Sequence, residues 1–184
     1  MGTAVKIACL AWGSLIWKPG ELPVAGEWHA DGPALPVEFC RIGDGGELAT
    51  ALCMNAAPVN VYWAVLASVS LPEAVAALRL REAIPDERED GVGILLQPQH
   101  TPGVLSDWAQ DRCLDAVIWT ALPPRYQHQE GLIPSCDEAL AHLASLSGEA
   151  AEHAFDYIRR VPAQFDTAYR QRLQALIDTS AEVA

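Results

Sequence analysis

Apolar residues run almost unbroken from Val5 to Trp12 and stop at Gly13-Ser14. A short apolar run bounded by turn residues predicts a buried strand. Short strands are predicted next at Glu27 to Asp31 and Leu35 to Arg41, on either side of Asp31-Gly32-Pro33. The Asp44-Gly45-Gly46 run predicts a hairpin turn into a strand over Glu47 to Met54, and the β-branched and aromatic stretch Val59 to Ser68 predicts another. The first third of the chain thus reads as β-rich and antiparallel.

From Leu71 the period changes. Leu71, Val75, Leu78 and Glu82 recur at helical spacing on one face, with Ser70 as N-cap and Glu73 closing a capping box. Strands at Gly91 to Gln97 and Asp115 to Thr120 flank a short helix at Leu105 to Arg112. After Pro123-Pro124 the chain reads as helical, over Cys136 to Ser147, Glu149 to Arg160 and Ala163 to Ile177. Strands first and helices later predict an α+β fold with a mixed or closed sheet.

Composition narrows the picture. With 184 residues, 51% of them hydrophobic and 20% charged, one compact domain spanning 1–184 is expected. A net charge of -12, with no basic stripe, argues against nucleic acid or an anionic membrane as partner. Cys9, Cys40, Cys53, Cys113 and Cys136 form no CxxC pair, so neither a disulfide framework nor a zinc site is expected and a cytoplasmic location fits. The apolar start faintly imitates a signal peptide but is interrupted by Gly13-Ser14, and no apolar run reaches membrane-spanning length. His spacings match no metal motif, and GxSxG, GxGxxG and P-loop patterns are absent, so no metal or cofactor is expected.

Two features carry candidate chemistry. A Gly-Ser pair just beyond a buried strand either makes an ordinary turn or presents backbone N–H groups to an anion such as a carboxylate. Trp12 and Trp17 flank it, as core or as ligand wall. The second feature is Glu82, at the end of an apolar helical stripe. A carboxylate there either reaches solvent or an Arg, or is desolvated toward the range useful for a general base. Glu87 and Glu89, in the charged run Pro85 to Asp90, are its rivals if the helix runs on, although such runs are usually solvated loops.

Together these residues resemble the gamma-glutamylcyclotransferase-like family. The loop Trp12-Gly13-Ser14-Leu15, extended as GSLIWKP, is similar to the YGSL-type loop, especially in its glutathione-specific branch, and LRLREAI resembles the L-x-x-RE motif at Glu82. The resemblance covers Val5 to about Gln97. It implies a small β-barrel flanked by helices, Glu82 as the catalytic proton shuttle, and substrate binding by Trp12, Gly13, Ser14 and Leu15. It also implies a later pocket Tyr, matched best by Tyr157 with Tyr169 as competitor. Arg41 and Arg81 are the nearest cations to offset an anionic substrate, or are surface charges. The chain departs from the family pattern with Trp12 in place of Tyr and with Ala83 to Asp90 inserted before Gly91.

The reaction implied is intramolecular aminolysis, releasing 5-oxoproline from glutathione, a γ-glutamyl amino acid or a γ-glutamyl amine. A catalytically silent binding protein on the same fold is the alternative. A thiol enzyme using Cys9 or Cys40 is a third reading, without a positioned His to support it.

Overall fold

The computed structural model describes residues 5–67, 70–98 and 102–183, without the side chains of 182 and 183. In chain order the strands and helices are β1 (Ile7–Ala11), β2 (Val24–His29), β3 (Ala34–Ile42), β4 (Leu48–Leu52), β5 (Pro58–Asn60), β6 (Tyr62–Leu66) and α1 (Leu71–Arg81). There follow β7 (Val92–Leu96), α2 (Val104–Asp111), β8 (Ala116–Thr120), β9 (Arg125–Tyr126), β10 (Gln129–Glu130), α3 (Cys136–Ser145), α4 (Gly148–Arg160) and α5 (Ala168–Val183). The fold is mixed α+β with two sheets. No helix among the described residues is long and apolar enough to cross a membrane.

The chain forms two compact units, the first within 1–11, 15–34 and 60–122, the second within 12–14, 35–59 and 123–184. The first unit holds the sheet β2-β6-β1-β8-β7. It is mixed, because β1 runs antiparallel to β6 but parallel to β8, with Cys9 opposite Ala64 on one side and Ile118 on the other. All five residues of β1 are buried, which is why this strand reads as a continuous apolar run instead of an alternating one. Ile7, Cys9 and Ala11 share a core with Ala74 and Leu78 of α1 and Ile118 of β8.

The second unit holds β10-β9-β3-β4, with β5 also on β3. The β3–β4 hairpin closes through Gly43 and Gly46, whose N–H groups donate to Glu47 O at 3.0 Å and Gly43 O at 3.1 Å. Gly46 has φ +87°, a left-handed conformation that costs glycine least. Helix α5 packs on α3 and α4, burying Leu173 and Ile177.

Several boundaries differ from the sequence reading. The first strand stops at Ala11, and the second runs Val24–His29, earlier than expected, with Gly26 at φ +82°. The stretch Val59 to Ser68 is not one strand. Val61 leaves the ladder to exchange hydrogen bonds with Gly32 and Pro33, at 2.8 and 3.1 Å, and Ser68 lies outside the described residues. The chain after Pro124 is not wholly helical, since β9 and β10 form a two-stranded hairpin stapled by ion pairs of Arg41 and Arg125 to Glu130. The last helix starts at Ala168, not Ala163, and continues to Val183. Arg170 causes the delay by donating to the carbonyls of Ile158, Val161, Pro162 and Phe165, so that 161–167 serves as a cap for α4.

Candidate functional site

Glu82 belongs to the first unit and closes α1. The capping box forms at the other end as expected: Ser70 Oγ accepts from the Glu73 N–H at 3.3 Å, and the Glu73 carboxylate accepts from the Ser70 N–H at 3.1 Å. At the C-terminus the Glu82 N–H donates to Leu78 O at 3.0 Å, the Ala83 N–H to Leu80 O at 3.2 Å and the Ile84 N–H to Arg79 O at 2.9 Å. Ala83 carries φ +54°, and buried Ile84 packs on the core beside Leu78. This is a Schellman stop, in which a left-handed residue ends the helix and an apolar contact locks the exit. Glu82 is therefore the last residue in helical phase, and its orientation is set by α1.

Around Glu82 the surroundings are poor in water. Burial raises its pKa, while Arg81 and the Thr120 hydroxyl pull it down. Thr120 Oγ1 is itself buried and makes no hydrogen bond of ordinary geometry among the described residues. Glu82 also acts on Cys9 of β1, whose thiol is pushed far above its usual range by burial first and by the Glu82 charge second. Arg81, whose charge acts on Glu82, also donates from Nε to Lys18 O at 2.8 Å. The rivals Glu87 and Glu89 are exposed. Their loop is tied back by Arg79, which donates to Pro85 O at 3.1 Å and Arg88 O at 2.8 Å.

Trp12, Gly13 and Ser14 belong to the second unit. Trp12 and Gly13 are buried and Ser14 is half-buried. Thr50 of β4 donates from Oγ1 to Trp12 O at 2.8 Å, and the Tyr157 hydroxyl of α4 lies 2.8 Å from Thr50 Oγ1 and accepts from the Thr50 N–H at 3.1 Å. A Cβ on Gly13 would meet the Tyr157 hydroxyl and come within 2.8 Å of Thr50 Oγ1. Glycine is required here by close approach, and Tyr157 and Thr50 are the side chains that make it so. Leu15, in the first unit, is 4% exposed and packs into the core beside Leu22.

Of the two tyrosines, Tyr157 is the one beside Gly13. Tyr169 turns elsewhere, its hydroxyl donating to Pro134 O at 2.7 Å and its pKa pushed up to about 12, chiefly by burial. Arg41 is committed within its own unit, to Glu130 at 2.6 and 3.0 Å and to Pro123 O at 2.9 Å. Thr50 and Thr120 were not singled out in the sequence. An isolated Thr in a strand carries no spacing signal, and only its place opposite Trp12 or Glu82 gives it a role.

The thiols of Cys9 and Cys40 are buried and both are held above their ordinary range by desolvation. Thiolate chemistry at either is disfavoured, because the protonated thiol is a poor nucleophile. No group of three or more His, Cys, Asp or Glu among the described residues is placed to share a metal ion. A scan against protein-family models finds no match, and a search of curated proteins finds none.

Proposed function

We propose that this chain is a gamma-glutamylcyclotransferase-like enzyme, with the fold of that family, releasing 5-oxoproline from a γ-glutamyl compound in the cytoplasm. The observation that carries the reading is Glu82: a carboxylate fixed at the end of α1, half-buried, with its pKa raised by loss of water. Such a group accepts and returns a proton near neutral pH more readily than an exposed carboxylate does.

In the proposed reaction Glu82 takes a proton from the substrate's α-ammonium. The freed amine attacks the γ-carbonyl carbon, forming the ring C–N bond. Glu82 returns that proton to the departing nitrogen as collapse of the tetrahedral intermediate breaks the original amide C–N bond, and the second proton on the ring nitrogen then passes through Glu82 to the released amine, which leaves as an ammonium. Proton count and charge balance without an oxidant or a covalent enzyme intermediate. The amides at Gly13 and Ser14, with Leu15 following, are the proposed holders of the substrate carboxylate or the developing oxyanion. Tyr157 supports that role by holding the Trp12 carbonyl through Thr50.

Trp12 in place of the family's Tyr favours the second reading, a binding protein without turnover, since no phenol hydroxyl is available at that position. Glu82→Gln separates the two. Loss of 5-oxoproline release supports the enzyme, whereas ligand binding with no release from either form supports the silent protein.

A further inference from the structure

The second unit contains a cavity of about 290 Å³ that takes no part in the chemistry proposed above. Its walls come from β3, the 53–59 segment and the start of α5, and include Val37, Glu38, Cys53, Asn55, Thr167 and Tyr169. Small-molecule sites run from about 300 to 1,000 Å³, so this one suits a ligand of only a few carbons. Two carboxylates, Glu38 and Asp166, line it, and among the described residues no Lys, Arg or His does.

Glu38 is the unusual member, 4% exposed although it is a carboxylate. Its Oε1 accepts from the Phe39 N–H at 2.9 Å and from the Thr167 hydroxyl. Its Oε2 receives the Tyr169 N–H at a long 3.4 Å. A carboxylate offers about four acceptor positions, so the second oxygen is under-served. These donors tie it to the first turn of α5, where Thr167 Oγ1 also accepts from the Arg170 N–H at 3.1 Å. Their compensation is partial, because burial still leaves the Glu38 carboxyl with a raised pKa. A helix N-terminus supplies only about half a positive charge. A small cation with N–H donors and a short carbon body matches both the second Glu38 oxygen and the apolar lining of Val37, Pro58 and Val59.

We propose that this cavity binds a small primary ammonium compound, its N–H donors on the Glu38 carboxylate and its short carbon body against the apolar wall. The site is independent of Glu82 and of the cyclotransferase reading.

The test uses the intact ¹⁵N-labelled protein titrated with n-butylammonium and, separately, with 1-butanol, a neutral molecule of the same chain length. The amide resonances of Thr167 and Tyr169 should move with the ammonium, at an affinity on the order of tenfold tighter than for the alcohol, as one charge-assisted hydrogen bond provides. Glu38→Gln should abolish that preference. Because Glu38 also anchors α5, a second variant, Ala57→Trp, narrows the cavity from an exposed lining position without touching the carboxylate, and should weaken both probes. Equal binding of the two probes, no shift with either, or ammonium binding that survives Ala57→Trp undiminished would each overturn the proposal.

Discussion

The Tyr157 hydroxyl meets Thr50 twice, accepting from its N–H at 3.1 Å and standing 2.8 Å from its Oγ1. Thr50 Oγ1 donates onward to the Trp12 carbonyl, so the remaining proton between the two hydroxyls comes from Tyr157. Removing that hydroxyl strips the Thr50 N–H of its acceptor. Tyr157→Phe should cost about 1–3 kcal/mol, the usual penalty for leaving a part-buried polar group unpaired, read as a lower urea midpoint.

Gly13 and Tyr157 should also couple. Gly13→Ala places a methyl group where the Tyr157 hydroxyl stands, and overpacking of this kind costs about 1–3 kcal/mol. In a Tyr157→Phe background part of the clash is gone, so the double variant should be more stable than the sum of the two single losses predicts. Strict additivity in urea unfolding would contradict the close approach at Gly13.

Ala83 is one residue at which sequence and backbone disagree. Its φ of +54° suits glycine, and holding an L-residue there costs roughly 1–2 kcal/mol. Ala83→Gly should therefore stabilise the protein by a few tenths to about 1 kcal/mol, once glycine's greater unfolded-state entropy is counted. A loss of stability would mean that the helix does not end in a Schellman stop.

Glu82 links function to stability. Its pKa in the folded state lies above that of the unfolded chain, so between those two values the folded state binds more protons. By linkage the folded state then loses stability as pH rises from the ordinary carboxylate range through the elevated folded pKa. Glu82→Gln removes that loss. The variant should melt at a higher temperature than the parent at neutral pH, and its advantage should vanish below the ordinary carboxylate pKa. Glu38, shifted the same way, adds to the slope in both proteins and cancels in the comparison.

Thiol reactivity tests the third reading. Cys113 is exposed and Cys136 partly so, whereas Cys9, Cys40 and Cys53 are buried. Native protein treated with a maleimide should be modified at Cys113 first and at the buried three only on unfolding, as located by peptide mass spectrometry. Rapid labelling of Cys9 or Cys40 in the folded protein would revive a thiol mechanism.

The pattern of apolar positions announced α1 well, because its capping box and stripe are local signals: Ser70, Glu73 and Leu78 do in the fold what their spacing predicts. The break at Val61 was hidden because it depends on Gly32 and Pro33, far away in sequence. The β9–β10 hairpin was hidden because two-residue strands have no period, and their ion pairs come from Arg41 and Arg125. The late start of α5 follows from one side chain, Arg170, reaching carbonyls from Ile158 to Phe165, which no helical propensity records. Glu82 and Gly13 were visible as oddities, a charge on an apolar stripe and a glycine after a core strand. Thr50, Thr120 and Glu38 acquire meaning only from neighbours that the fold supplies.

The central claim is that Glu82 moves the proton in a cyclotransferase reaction. The most direct measurement incubates the purified protein with glutathione and a panel of γ-glutamyl amino acids and amines, and follows 5-oxoproline by mass spectrometry. The parent protein, Glu82→Gln, Glu87→Gln and Glu89→Gln are run side by side. The account predicts release by the parent and by the Glu87 and Glu89 variants, and a loss of at least about a hundredfold in Glu82→Gln, the scale of a missing general base. Release that persists in Glu82→Gln, or no release from any substrate by the folded parent, would contradict it.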